Sequence, residues 1–189
     1  MSEAPEAKPA LKHQIWSFLR ETVTTVAMAA LIFFVVELFT PRYYVEGRSM
    51  EPNFDDGQRL IAGRLGVFPG ELQRGDVVVL RYATQPKSEP PLIKRLIGLP
   101  GETVAIRDQI VYVNGEALDE PYIKEACDAL HCRDREWVLG ADEYFVMGDN
   151  RNHSNDSRSF GPVSSQYLYS RILFRYWPLP DLGLVSPAH

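Results

Sequence analysis

The sequence predicts a mainly β protein in which a single N-terminal transmembrane helix precedes a domain of antiparallel strands. Two observations predict this fold class: an apolar stretch near the N-terminus, and short runs of β-branched and aromatic residues broken by Gly, Pro, Asp and Asn along the remainder. With 189 residues, 45% of them hydrophobic and 24% charged, the chain has room for one globular domain and a smaller element. We expect a polar N-terminal segment at 1–21, a membrane anchor at 22–40 and a β-rich domain at 41–189.

The expected anchor has the length of one membrane span. No charged residue occurs in 22–36, and apolar residues resume after Glu37. Counted from Val23 to Phe39, the segment forms about 25 Å of helix, the short end of what crosses a bilayer. The alternative is a cleavable secretory signal, but no Ala-x-Ala pattern follows, which favours an uncleaved anchor. Pro41 is expected to end the helix.

Five runs after residue 41 have the length and composition of β-strands. They occupy 77–80, 103–106, 110–113, 144–147 and 172–174. Arg107-Asp108-Gln109 predicts a tight connection between the second and third runs, and Asn114-Gly115 is a hairpin turn signal. The proline-rich stretch 85–91 is expected to be a loop that leads into a strand around Lys94, and 124–135 to be an exposed insertion. Since no long helix is predicted after the anchor, we expect an all-β or mainly β domain of antiparallel strands.

Composition argues against several functional classes. The formal net charge is -5, and no basic block alternates with aromatic residues, so nucleic-acid binding has no support. The chain has no glycine-rich phosphate loop and no cluster of carboxylates and histidines with metal-ligand spacing. The sequence therefore implies neither a cofactor nor a metal.

Cys127 and Cys132 are the only cysteines. In an oxidising compartment they could close a short disulfide loop, which the chain-entropy model values at roughly 2 kcal/mol. Free thiols and a metal site that includes His131 are the alternatives. Two cysteines and one histidine are few ligands for a zinc site.

Four segments follow the anchor in a fixed order. They are Gly47-Arg48-Ser49-Met50-Glu51-Pro52, Arg74-Gly75-Asp76-Val77-Val78-Val79, Lys94-Arg95-Leu96-Ile97-Gly98-Leu99-Pro100-Gly101-Glu102, and Gly148-Asp149-Asn150-Arg151 continued by Asp156-Ser157-Arg158 and Gly161. Together they resemble the bacterial type I signal peptidases, membrane enzymes that remove signal peptides from exported proteins. The resemblance extends from the anchor to about Pro178 and implies the catalytic domain of that family, an antiparallel, barrel-like β-sheet arrangement.

The resemblance implies that Ser49 is the nucleophile and Lys94 the general base. The residues themselves are consistent with these roles, because a serine hydroxyl needs a neighbouring base and a lysine acts as one only when it is neutral. On a strand, Leu92 and Lys94 face the same way, so the apolar neighbour helps to keep water from the amine. Desolvation lowers the pKa of a lysine from about 10.4 by several units.

The fourth segment supplies supporting residues in that family. The resemblance implies that the hydroxyl of Ser154 hydrogen-bonds the lysine and that Asp156 and Arg158 form a pair that holds the loop. Some family members carry a serine two positions before the nucleophile, where its hydroxyl stabilises the oxyanion. This chain has Gly47 there. The oxyanion would therefore be bound by the backbone N–H of Ser49 and a further backbone donor.

The resemblance also implies substrates and a location. The family recognises small residues at positions -1 and -3 before the cut with shallow apolar pockets. The matching positions here are Tyr43, Val45, Met50, Leu92 and Ile93. Preproteins that carry signal peptides and the lipid bilayer are the expected partners. We expect a single-pass protein of the plasma or inner membrane, with a cytoplasmic N-terminus and an extracytoplasmic catalytic domain.

Charge alone does not give this orientation. Basic residues flank the apolar segment equally: Lys8, Lys12 and Arg20 precede it, and Arg42, Arg48 and Arg59 follow it. A large C-terminal domain can be translocated regardless of its charge, so the expected orientation rests on function.

Three other functions are compatible with parts of the sequence. His153, beside Ser154, could serve a Ser-His-Asp triad, whereas His13, His131 and His189 are poorly placed for one. A self-cleaving regulator of the phage-repressor type would need a DNA-binding module where this chain has its anchor. The alternative from outside the enzymes is a catalytically silent, membrane-anchored β module that binds apolar peptides.

Overall fold

The structure is a computed structural model that describes residues 11–66 and 70–187, with side chains from residue 14 onward. Lys8 and His189 lie outside the described residues, and nothing is known from the structure of the Lys12 and His13 side chains. The chain divides into two compact units, Met1–Phe39 and Thr40–His189.

The first unit contains a single long helix. Helix α1 spans Leu11–Phe39, so it begins within the segment 1–21, where the apolar spacing from Leu11 to Leu19 is consistent with a helix. The part from Gln14 to Phe39 has a mean hydropathy of 2.2 and is long and apolar enough to cross a membrane. The helix ends two residues before Pro41, as expected, because proline disfavours the helical conformation of the residue before it.

The second unit is built from short strands. They are β1 (Arg42–Tyr44), β2 (Arg59–Arg64), β3 (Val77–Leu80), β4 (Leu92–Gly98), β5 (Thr103–Arg107), β6 (Ile110–Val113), β7 (Glu116–Ala117), β8 (Arg135–Val138), β9 (Glu143–Met147), β10 (Val163–Ser164), β11 (Leu168–Trp177) and β12 (Gly183–Leu184). The single α-helix described in this unit is the four-residue α2 (Ser157–Phe160). The prediction of a mainly β fold is confirmed.

The strands form two antiparallel sheets. The larger has the order β1-β2-β11-β3-β4-β9-β10, with β12 paired to β11, and the smaller has the order β7-β6-β5-β8. Strand β4 lies inside the larger sheet between β3 and β9, and six of its seven residues are buried. A charged side chain on β4 is therefore held away from water, which matters for Lys94.

Two tight turns in the smaller sheet follow the sequence signals. Between β5 and β6, Asp108 and Gln109 have φ values of 49° and 67°, and between β6 and β7, Asn114 and Gly115 have φ values of 52° and 86°. Two successive positive φ values match the twist of a two-residue hairpin, which explains the preference for Asn, Asp and Gly there.

The segment 124–135 is not simply an exposed insertion, contrary to our expectation. Cys127 and Cys132 are only 4% and 2% exposed, and both belong to an apolar cluster with Trp137 and Phe145. The expectation was wrong at these positions because it followed the charged residues of the segment. The cysteines attach the loop to the core of the smaller sheet.

Candidate active site

Ser49 lies in a tight turn between β1 and β2. The turn is closed by backbone hydrogen bonds from Glu51 N–H to Arg48 C=O (3.2 Å) and from Phe54 N–H to Met50 C=O (3.0 Å). Met50 is 1% exposed and packs in the same apolar cluster as Val45. The neighbouring methionine therefore fixes the turn in the core, while Ser49 itself remains half-buried.

Lys94 faces this serine from the centre of β4. Its Cα lies opposite that of Val78 on β3, and the residue is 2% exposed. The Lys94 amine donates a hydrogen bond to Ser49 Oγ, with 2.7 Å between Nζ and Oγ. The two residues, 45 positions apart in sequence, are thus within direct proton-transfer distance.

The surroundings of Lys94 favour its neutral form. Burial, the largest effect, lowers the pKa of Lys94 from 10.5 to about 8, and the positive charge of Arg158 acts in the same direction. The carboxylates of Asp156 and Asp149 partly oppose this by stabilising the ammonium. A substantial fraction of the amine is therefore neutral in mildly alkaline solution.

Asp156 and Arg158 form a buried pair beside this amine. Arg158 donates from Nε to Asp156 Oδ1 and from Nη2 to Oδ2, both at 2.8 Å. Gly148 N–H donates to Oδ2 at 3.0 Å, and Asp156 also caps α2. Burial alone would raise the pKa of Asp156, but the Arg158 guanidinium and the Gly148 N–H together hold it below its usual value.

The backbone of the fourth segment holds the Ser49 turn in place. Asn150 N–H donates to Ser49 C=O at 3.1 Å. Gly148 has no room for a side chain, because an added Cβ would collide with Ser49 C=O and with Ser154 Oγ. The Ser49 turn and the Gly148 loop are therefore in close backbone contact, which only glycine permits.

A second buried ion pair supports the same loop and was missed by the sequence reasoning. Arg95 donates to both oxygens of Asp149, at 2.7 and 2.6 Å, and to Gly75 C=O at 2.7 Å. Asn53 Nδ2 donates to Asp149 Oδ2 at 2.9 Å, which links the pair to the Ser49 turn. An arginine within an otherwise apolar strand run was the available signal.

Arg151 and Glu120 form a further pair that the sequence gave no means to identify. Arg151 is 1% exposed and donates from Nε to Gly148 C=O at 3.0 Å and from Nη1 to Glu120 Oε2 at 2.9 Å. Tyr122 C=O accepts a hydrogen bond from Asn53 Nδ2 at 2.7 Å. The segment around 120–122 thereby contacts both the Gly148 loop and the Ser49 turn.

Ser154 lies beside Gly148, but the expected hydrogen bond to Lys94 is not formed. Its Oγ is buried and has no partner of normal hydrogen-bond geometry among the described residues, although the hydroxyl helps to stabilise the Asp156 carboxylate. The recorded partner of the Lys94 amine is Ser49 Oγ instead.

The histidines do not take part in this arrangement in the described part of the chain. His153 is exposed, and the partner of the Ser49 hydroxyl is Lys94 rather than an imidazole. His131 Nδ1 lies 2.7 Å from Asp128 Oδ1 in the loop between the cysteines. The geometry offers no support for a Ser-His-Asp triad within the described residues.

An apolar cavity of about 220 Å³ opens beside Ser49 and Lys94. It is lined by all five residues that the resemblance assigns to substrate recognition: Tyr43, Val45, Met50, Leu92 and Ile93. They come from the start of the domain and from β4, so the fold brings together two segments that lie about a third of the domain apart in sequence. We call this space the substrate cavity.

The sulfurs of Cys127 and Cys132 are joined in a disulfide, with 5.8 Å between the Cα atoms. Arg158 Nη1 lies 3.3 Å from each sulfur, so the bridge borders the Asp156 pair. Among residues 11–66 and 70–187, no group of three or more His, Cys, Asp or Glu side chains is arranged to hold a metal ion.

Comparison with known proteins gives concordant matches. The model of the family described as "Signal peptidase, peptidase S26" matches residues 16–177. A protein named signal peptidase IB from Staphylococcus aureus is 32% identical over 86% of this chain and 92% of its own length. A signal peptidase I from Leptolyngbya laminosa is 32% identical over 98% of this chain and 93% of its own. A crystal structure of a signal peptidase I from Enterococcus faecalis aligns with 55% of this chain and 98% of its own, at 32% identity and a TM-score of 0.46.

Proposed function

We propose that this chain cleaves signal peptides with a Ser49-Lys94 dyad. The premise is that the chain belongs to the signal peptidase family S26 and is a serine endopeptidase. The single observation that carries the dyad is the 2.7 Å contact between Lys94 Nζ and Ser49 Oγ. Burial of the amine supports the base role because it lowers the pKa of Lys94 to about 8.

The acylation step follows from this geometry. Neutral Lys94 accepts the hydroxyl proton of Ser49 as Oγ attacks the scissile carbonyl carbon, and a tetrahedral intermediate forms. The resulting ammonium then returns its proton to the leaving amine, which departs as the new N-terminus of the mature protein. The signal peptide remains attached to Ser49 as an ester.

The negative oxygen of the tetrahedral intermediate needs hydrogen-bond donors. Among the described residues, the Ser49 N–H donates to no other group, so it is available to the oxyanion. At position 47 the backbone N–H of glycine donates to Asp56 Oδ1 at 2.7 Å, and the residue has a φ of 80°. Gly47 therefore shapes the turn that presents the Ser49 N–H, a task that an ordinary side chain would hinder.

Deacylation uses the same two residues. After the leaving amine has departed, neutral Lys94 takes a proton from a water molecule that attacks the ester carbon. The second tetrahedral intermediate collapses, Ser49 Oγ recovers a proton from the Lys94 ammonium, and the signal peptide is released with a new carboxylate. No cofactor enters either step.

The substrate cavity suits small residues before the cut. At about 220 Å³ and lined mainly by apolar side chains, it suits residues of the size of alanine better than large aromatic ones. We propose that Tyr43, Val45, Met50, Leu92 and Ile93 recognise the residues at -1 and -3. Replacing Ala by Trp at -1 of a substrate should abolish its cleavage.

Helix α1 is proposed as the membrane anchor, with the N-terminus in the cytoplasm and the catalytic unit on the outer face. The supporting observation is the apolar span of 26 residues from Gln14 to Phe39. An anchored enzyme meets signal peptides whose apolar cores lie in the same bilayer, which raises their effective concentration at the active site.

Mass spectrometry of a preprotein incubated with the detergent-solubilised protein tests this function. The wild type should make a single cut after a small residue, and Ser49→Ala and Lys94→Ala should make none. An engineered preprotein with Trp at -1 serves as the substrate control. Full cleavage by either variant would refute the dyad, and absence of cleavage by the folded wild type would favour a peptide-binding module.

A further inference from the structure

A second cavity, of about 460 Å³, lies between the smaller sheet and helix α2. It shares no lining residue with the substrate cavity. Its walls are formed by β8, by the loop that follows the disulfide, and by the segment that carries Ser154, Arg158 and Ser159. We call it the arginine cavity, because three arginines line it: Arg133, Arg135 and Arg158.

Positive charge predominates in the arginine cavity. Arg158 is neutralised by its partner Asp156, so the unpaired positive charge of the wall comes from Arg133 and Arg135. Against these two guanidinium groups stands one lining carboxylate, Asp134, whose Oδ1 already accepts a hydrogen bond from Asp108 N–H at 3.0 Å. The titratable His131 also lines the cavity, and its ring is paired with Asp128. An anionic ligand would therefore meet a net positive wall.

Two of the three guanidinium groups retain unused donors. Arg133 is exposed and makes no hydrogen bond or ion pair with the other described residues. Arg135 lies over the Trp137 ring, 5.1 Å from its centroid, a contact that leaves its N–H groups available. Arg158, in contrast, is committed to Asp156 and lies against the disulfide. The free donors thus belong to β8 and the loop before it.

One buried polar atom of a lining residue has no partner within the described chain. Trp137 is 8% exposed, and its indole Nε1, which can only donate, has no hydrogen-bond acceptor. The Ser154 hydroxyl, in contrast, lies against Gly148 and helps to stabilise the Asp156 carboxylate. Buried polar groups are almost always satisfied in folded proteins, so an acceptor supplied by a ligand is a physical explanation for the unpaired indole.

We propose that the arginine cavity binds a phosphate group, either free or on a lipid headgroup. The guanidinium groups of Arg133 and Arg135 and the unpaired indole N–H of Trp137 belong to residues that line the space, and several donors suit a tetrahedral anion with several acceptor oxygens. The size of the cavity also falls within the range of small-molecule sites. Arg133 and Arg135 supply the charge-assisted hydrogen bonds.

Occupation of this site would slow cleavage, a consequence that rests on the proposed dyad. The charges that act on Lys94 are the carboxylates of Asp156 and Asp149, which stabilise its ammonium, and Arg158, which destabilises it. Phosphate beside Arg158 offsets that positive charge. Lys94 then stays protonated to a higher pH, so less of the enzyme is active near neutral pH.

Isothermal titration calorimetry of the full chain in a neutral detergent, with inorganic phosphate at constant ionic strength, tests the site. We expect saturable binding that weakens about tenfold or more in the double variant Arg133→Gln/Arg135→Gln. The matched control, Arg59→Gln/Arg64→Gln, removes the same charge from two exposed positions of β2 in the larger sheet and should bind as the wild type does. Absence of saturable binding, or equal weakening in both double variants, would overturn the proposal.

The source of the phosphate is resolved by cleavage of a short soluble substrate. Inhibition by inorganic phosphate in detergent identifies a free phosphate, whereas inhibition in phosphatidylglycerol nanodiscs but not in phosphatidylcholine nanodiscs identifies the phosphate of an anionic lipid headgroup, whose charge no choline cation offsets. The double variant should escape either inhibition. Binding without inhibition would overturn the coupling to Lys94, and because calorimetry needs no cleavage, failure of the dyad would leave the binding result intact.

Discussion

At the scale of single residues, the charges around Lys94 set the pH at which the site can react. Asp156 raises the pKa of Lys94, and Arg158 lowers it. In Asp156→Asn the raising charge is removed and the Arg158 charge is no longer neutralised, so both changes lower the pKa of Lys94. We predict that the midpoint of the pH–rate profile moves below its wild-type position, while the plateau rate falls because the loop loses its pair.

The check is the cleavage rate of a peptide substrate as a function of pH. Glu116→Gln, which removes an exposed carboxylate from β7, is the matched control and should leave the midpoint unchanged. A midpoint that rises in Asp156→Asn would show that the carboxylate does not act on Lys94 in this way.

Asp149 is expected to matter more for stability than any exposed carboxylate. Its partner Arg95 has a side chain only 4% exposed. In Asp149→Asn this guanidinium is left buried without its counter-charge, which we expect to cost about 3–5 kcal/mol of unfolding free energy. Chemical denaturation followed by tryptophan fluorescence measures the loss.

Glu136→Gln provides the comparison for this prediction. Glu136 pairs with Arg107 on the surface of the smaller sheet, where both side chains are more than half exposed. Breaking that pair should cost at most about 1 kcal/mol. Equal losses of unfolding free energy in Asp149→Asn and Glu136→Gln would mean that burial does not increase the cost of breaking the Arg95 pair.

The residue roles could be foreseen only where a motif or an unusual neighbourhood marked them. Lys94 is marked as a lysine within an apolar run, and Ser49 is marked by its position shortly after the anchor. Arg95 carried the same signal as Lys94 and was overlooked. Glu120 could not be foreseen, because its partner Arg151 lies 31 residues away and only the folded loops bring the two together.

At the scale of elements, the contact between the Ser49 turn and the Gly148 loop positions Ser49, the proposed nucleophile. A Cβ at position 148 would collide with Ser49 C=O. We predict that Gly148→Ala displaces the turn and lowers kcat by about 100-fold, the effect expected for a misplacement of about 1 Å at a reacting group. Steady-state kinetics on a peptide substrate measures it.

Gly183→Ala is the control for this substitution. Gly183 lies on β12, where an added Cβ meets nothing within 4 Å and φ is not positive. The kcat of the Gly183→Ala variant should equal that of the wild type. If Gly148→Ala retains full activity, the close backbone contact is not required for positioning Ser49.

The strands were predictable to the extent that local composition determines them. The expected runs 77–80 and 110–113 coincide with β3 and β6, and the two-residue turns follow Asp108-Gln109 and Asn114-Gly115. Strand β11 runs from Leu168 to Trp177, well beyond the expected 172–174. Its polar ends are strands because they pair with β2 and β3, a tertiary effect absent from the local sequence.

At the scale of the whole molecule, the proposed anchor localises the protein to the membrane, and the unit that follows it carries the proposed reaction. A protein lacking residues 1–39 retains the complete unit Thr40–His189. We predict that it cleaves a short soluble peptide at a rate within about threefold of the full chain, but a membrane-inserted preprotein at least about tenfold more slowly, because the shared bilayer no longer concentrates the two.

Parallel assays of both proteins on both substrates in lipid vesicles check this. The result that contradicts the proposal is an equal loss of cleavage rate on the two substrates, since it would mean that the removed segment supports the catalytic unit rather than localising it.

The fold class and the family were predictable at this scale because four segments and one apolar span occur together in the sequence. The orientation was not, since basic residues flank the span equally.

The most direct test of the Ser49-Lys94 mechanism is the pH dependence of kcat/KM for the wild type from about pH 6 to about pH 10. Because burial lowers the pKa of Lys94 to about 8 and only the neutral amine is a base, the rate should rise through about pH 8 and then level off. The rise should reflect a single deprotonation. A midpoint near 6.5, the ordinary value for histidine, or a rate independent of pH, would contradict a lysine base.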